Sequence, residues 1–115
     1  MKEFFMRGDS DEIAEAKRYV FEMVKDKKDF NVNDHLASRV ASHYEFWGKM
    51  VKLGYLPIKT FSGAAGRTAV NLYEALKPMI ENRRHRGNPS NPEYARDFLW
   101  LKTKIENKYH ISNYN

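Results

Sequence analysis

The chain has no cysteine among its 115 residues. That excludes a disulfide framework, thiolate metal sites and a cysteine nucleophile together. No apolar run approaches the roughly 18 residues that a membrane-spanning helix needs, and the opening Met1-Lys2-Glu3-Phe4-Phe5-Met6-Arg7 is too short in apolar residues for a secretory leader. Proline and glycine are sparse, 4 and 6 residues, and no low-complexity tract or internal repeat is present. These absences predict a soluble, cytoplasmic chain with no membrane partner.

What the chain does contain is 42% hydrophobic and 14% aromatic residues at a mean hydropathy of −0.75. That is enough apolar material for one domain with a real core. The net charge of +5 is unevenly spread. Residues 1–40 carry 8 basic and 9 acidic groups, residues 41–87 carry 8 and 3, and residues 88–115 carry 4 and 3. A positive excess confined to the middle of a chain is the footprint of a polyanion binder, or ordinary solubility charge.

The pattern predicts a leader over 1–9, a domain over 10–86, a breaker at 87–92 and a C-terminal helix within 93–115. Ser10 is an expected N-cap, with Asp11 and Glu12 in the first turn where the helix dipole favours acids. Ile13, Ala16, Val20, Met23 and Val24 form a helical stripe. Phe30-Asn31-Val32-Asn33 reads as a brief strand or lead-in. A short second helix follows with Leu36, Ala37 and Val40. Ser42 with Glu45 three residues later forms a capping box. It predicts a third helix that buries Phe46, Trp47, Met50, Val51 and Leu53 and ends at Gly54.

Residues 55–61 and 68–73 are strand-like and flank Ser62-Gly63-Ala64-Ala65-Gly66-Arg67, which predicts a β-hairpin. Pro78 is expected to open a short helix running into Arg83-Arg84-His85-Arg86. Asn91 and Pro92 start the last helix, whose stripe is Tyr94, Phe98, Leu101 and Ile105. The expected fold is mainly α with a small β-hairpin, an α+β domain.

This order of elements, with Met50-Val51-Lys52-Leu53-Gly54-Tyr55-Leu56 leading to the glycines and Arg67, resembles the winged helix-turn-helix family of DNA-binding domains over residues 10–77, with an added C-terminal helix. The resemblance implies a recognition helix at 43–53 lying in the major groove and a wing at 57–73. It further implies double-stranded DNA binding and transcriptional regulation of the small prokaryotic or phage type. Ser42, His43, Tyr44, Gly48, Lys49 and Lys52 are the candidate contacts on the helix, and Lys59 and Arg67 those on the wing. Arg83, Arg84 and Arg86 are candidates for flanking phosphates. Gly48 either admits a phosphate or base edge, or admits a neighbouring core side chain. Tyr94, Phe98, Leu101 and Ile105 either form a homodimer seam or pack back on their own domain.

The alternative is a protein-binding winged helix, a phage-type inhibitor or assembly adaptor. Aromatic side chains on the surface would favour it. RNA or single-strand binding would need aromatics displayed on an open basic face. No phosphate loop, dinucleotide fingerprint or nucleophile elbow is present, so no enzyme or cofactor is expected. His35, His43, His85 and His110 lack ligand spacing, so no metal is expected either.

Overall fold

The computed structural model describes residues 11–26, 35–86 and 90–110. The expected leader, the Ser10 cap, the Phe30–Asn33 segment and residues 87–89 of the breaker lie outside the described residues. Among the described residues there are four helices, α1 (Asp11–Lys25), α2 (His35–Lys52), α3 (Ala64–His85) and α4 (Arg96–Tyr109), with a short 3-10 turn at Ile58–Phe61. No strand occurs among the described residues, so the α+β winged-helix expectation is wrong on two counts.

The expected helix-turn-helix at 35–53 is one unbroken helix. Ala37, Val40, Ala41, Tyr44, Trp47 and Gly48 are buried along it, an inward stripe that crosses the supposed turn without interruption. The capping box fails because Glu45 is committed elsewhere: its Oε1 accepts the Phe98 N–H at 2.9 Å. The expected wing fails as well. Residues 58–61 are a 3-10 turn, and 64–85 form a single helix with Pro78 inside it rather than at its start. Thr68-Ala69-Val70-Asn71-Leu72-Tyr73 reads as alternating, yet Gly66, Ala69, Val70, Leu72, Tyr73, Leu76, Met79 and Ile80 are buried. That is a helical spacing, and burying it outweighs the weak strand preference of Thr and Val.

The C-terminal helix α4 packs on both α2 and α3, while α1 covers α2 and α3 from another side. Phe98, Leu101 and Ile105 of α4 are fully buried. The Phe98 ring stacks on Tyr44 of α2 at 5.1 Å and meets Tyr73 of α3 edge-on at 5.0 Å. At α1, Arg39 pairs with Glu12 at 2.6 Å and the Lys17 ammonium lies 5.3 Å from the Tyr44 ring centre. Lys102 joins α4 to α3 through Glu74 at 2.8 Å and also bonds Glu106 at 3.2 Å. Burial pulls the Lys102 pKa down, but the two carboxylates outweigh it and hold the ammonium above its ordinary value.

Two glycines set the helix spacing. A Cβ at Gly48 would overlap the Asp97 carbonyl of α4, and one at Gly66 would overlap the Phe61 carbonyl. In both places the obstacle is backbone, which cannot swing aside as a side chain can. Gly48 therefore admits the α4 backbone itself. We predict that Gly48→Ala forces α2 and α4 apart and costs about 3 kcal/mol, a fall in Tm on the order of 10 °C. Ser42→Ala, on the exposed side of the same helix, should leave the melt nearly unchanged. A Gly48→Ala melt as high as the parent's would refute the close approach.

Candidate docking surface

The C-terminal end of α2 is fixed by its own backbone. Gly54 adopts φ +87°, a left-handed conformation that glycine takes without side-chain strain. Its N–H donates to the Val51 carbonyl at 3.1 Å, and the Tyr55 N–H donates to the Met50 carbonyl at 2.9 Å. Those two bonds are the Schellman pattern, which satisfies the last helical carbonyls and sets the exit direction of the chain. Leu53 and Tyr55 are thereby held at defined positions.

Stepping 100° per residue from Tyr44, the buried Ala37, Val40, Ala41, Trp47, Gly48 and half-buried Val51 fall within about 60° of it. Phe46 and Leu53 fall about 160° and 180° away, with Met50 and Lys49 beside them. Phe46 and Leu53 lie diametrically opposite the core, whereas Met50, to one side, is half-buried and packs against it. Phe46 is 50% exposed, Leu53 61% and Tyr55 76%. Phe46, Met50 and Leu53 stand at i, i+4 and i+7, so they form one strip that Tyr55 extends past the helix end. Phe46 is braced edge-on by Trp47 at 4.9 Å, and the Trp47 indole N–H donates to His43 Nε2 at 3.1 Å. Phe21, Val24 and Leu36 are also exposed.

On its α4 side the strip borders an open depression lined by Glu45, Lys49, Lys52, Leu53, Glu93, Arg96 and Asp97. Its charges are mostly paired. Lys52 meets the buried Asp97 carboxylate at 3.4 Å, and Arg96 meets Glu93 at 2.6 Å. The Glu93 partnership holds the Arg96 pKa above its ordinary value. Glu45 supplies the acceptor that Ala95, the capping residue of α4, has no side chain to provide. Lys49 is exposed and forms no ion pair among the described residues.

The residues expected to contact DNA divide into two groups. Tyr44 and Gly48 are buried against α4. His43 is bonded to Trp47, and Lys52 is held by Asp97. Arg84 donates to the Tyr94 and Ala95 carbonyls at 2.8 and 3.3 Å, where it clamps the turn that enters α4. Arg83 bonds Ser38 and lies 4.9 Å from the Tyr94 ring centre. Ser42, Lys49, Lys59, Arg67 and Arg86 remain exposed. Burial raises the Tyr73 pKa, against an opposing pull from Arg84. The expected dimer residues Phe98, Leu101 and Ile105 are fully buried in their own domain with Tyr94 half-buried, so a seam built on them would require α4 to leave its core. Among the described residues no cluster of three or more His, Asp or Glu side chains is placed to hold a metal ion. No helix among them is long and apolar enough to cross a membrane.

Of the side chains expected inside, Trp47 is buried and Met50 and Val51 pack against the core, but Phe46 and Leu53 are exposed; Tyr44 and Gly48, expected outside, are buried, so the helix is turned about its axis relative to that expectation. The missed signal is the set of small residues Ala37, Ala41 and Gly48 on one face, spaced by four and then seven residues with Tyr44 between the last two. We predict that Glu45→Ala speeds amide exchange at Phe98 severalfold and costs about 1 kcal/mol, the usual value of a lost helix cap. Glu45→Gln, which keeps an acceptor oxygen, should retain most of the protection. Unchanged exchange at Phe98 in Glu45→Ala would contradict the cap.

Residues 2–105 match the family described as Domain of unknown function (DUF4760). No curated protein and no solved structure matches the chain.

Proposed function

The chain belongs to the DUF4760 family, and from its geometry we propose that it is a protein-binding helical module that docks a partner on the strip of Phe46, Met50, Leu53 and Tyr55. The observation that carries this reading is the exposure of three large apolar side chains, Phe46 on α2 with Leu53 and Tyr55 in the turn that ends it. Leaving them in water forgoes about 1.5–3 kcal/mol per large side chain relative to burial. A contiguous apolar strip rimmed by polar groups is the usual mark of an interaction site. The strip also sits on a rigid helix whose end is locked by Gly54, so little ordering entropy is lost on docking.

A second reading, double-stranded DNA binding, rests on Lys49, Lys59, Arg67 and Arg86, which are exposed and without an ion-pair partner among the described residues. It has lost Tyr44, Gly48, Arg83 and Arg84 to the interior and to the α4 clamp. Binding to a labelled random duplex that weakens by orders of magnitude between about 50 and 200 mM salt would favour it over the protein reading.

The test of the main reading is photo-crosslinking in the native cells. A benzophenone side chain at position 46 or 55 should yield discrete crosslinked proteins that disappear when Leu53→Glu is added. The same probe at position 104, on the exposed side of α4, should yield none of them. Leu53→Glu should melt within about 0.5 kcal/mol of the parent, because the residue lies on the surface. Crosslinks that survive Leu53→Glu, or none from either position, would overturn the proposal.

A further inference from the structure

The strip is asymmetric in charge. No acidic residue stands between Glu45 and Glu74, whereas Lys49, Lys52, Lys59 and Arg67 lie in that interval. The interval contains the whole strip, the 3-10 turn and the first turn of α3. The α4 side of the strip is balanced, since its depression holds Lys49, Lys52 and Arg96 against Glu45, Glu93 and Asp97. Within residues 46–73 themselves no carboxylate offsets the basic groups. Lys49, Lys59 and Arg67 are exposed, and none has an ion-pair partner among the described residues.

We infer that the occupant of the strip is an acidic amphipathic helix, its apolar face on Phe46, Met50, Leu53 and Tyr55 and its carboxylates toward Lys49 and the basic segment that follows. This inference rests on the protein-binding reading above. A helix fits because Phe46, the exposed part of Met50 and Leu53 repeat at i, i+4 and i+7 along α2 and into its closing turn, a spacing that the ridges of a second helix can engage. Acidic flanks fit because they complement the unpaired lysines and steer encounter. A second copy of the chain fits poorly. A two-fold contact places a patch against itself, so Lys49 would face the basic surface of its twin.

The test uses the full chain and a displayed random peptide library of roughly 16 residues, long enough for four helical turns. Selection is run in parallel on the parent and on Leu53→Glu. Peptides enriched only on the parent should carry more Asp and Glu than Lys and Arg, with apolar residues at helical spacing. A synthetic winner should bind with a dissociation constant on the order of micromolar, as expected for a small contact. Leu53→Glu and Lys49→Glu should each weaken it about tenfold or more, and raising salt from about 50 to 500 mM should weaken it severalfold. Both positions are exposed, so both variants should melt like the parent.

Winners that are neutral or basic, yet lost with Leu53→Glu, would overturn the acidic partner and leave the docking surface standing. Winners indifferent to Leu53→Glu, or no winners at all, would overturn both. Self-association abolished by Leu53→Glu would replace the acidic helix with a second copy. Sedimentation with vesicles containing anionic lipid, abolished by the same variant, would replace it with a membrane surface.

Discussion

The contact on which the arrangement depends is the one between Gly48 of α2 and the backbone of α4 at Asp97. Without a side chain at Gly48, the two helices approach until the Asp97 carbonyl occupies the place of a Cβ. That approach seats Phe98 between Tyr44 and Tyr73 and brings the Phe98 amide within reach of Glu45. It also brings Lys52 to the buried Asp97. Close packing of this kind gains dispersion contacts that a wider spacing would lose, and it makes the interface intolerant of even one added methyl group.

The same contact fixes the rotation of α2. A helix that docks by its smallest residues must turn its opposite face to solvent. Here the opposite face carries Phe46 and Leu53, with half-buried Met50 at its edge, and the locked turn at Gly54 adds Tyr55 to them. The exposed apolar strip is therefore a geometric consequence of how the core is built, and the rigidity of that core is what presents it. Much of the basic charge that suggested a polyanion partner has work inside the fold, with Arg83 and Arg84 holding the turn into α4.

Several features were legible in the sequence. Phe98, Leu101 and Ile105 form a stripe of about two turns at i, i+3 and i+7, and Gly54 is a helix terminus because a left-handed residue allows that exit. Asp11 and Glu12 opening α1 follow from the dipole alone. The rotation of α2 was not legible, because Phe46 and Leu53 are as apolar as the Trp47 and Val51 that do face the core. The close approach at Gly48 decides it: Tyr44 and Gly48 turn inward together, and Phe46 is left on the far side. Nor was the continuity of α2 legible, since Ser42 and Glu45 form a valid local capping signal. Glu45 instead caps a helix that begins 51 residues later, at Arg96. The wing was a local misreading too. Its apparent alternation at 68–73 is one part of a helical stripe that becomes clear only when followed to Ile80.

The central claim is that α2 buries its Gly48 face against α4 and leaves Phe46, with Leu53 and Tyr55 beyond its end, in solvent. A soluble paramagnetic agent added to the protein in solution tests it directly by NMR, through the relaxation of protons near the surface. The account predicts strong broadening of the Leu53 methyl and Tyr55 ring signals, and protection of the Gly48 α-protons. Broadening at Gly48 equal to that at Leu53, or protection of Leu53 and Tyr55, would contradict it.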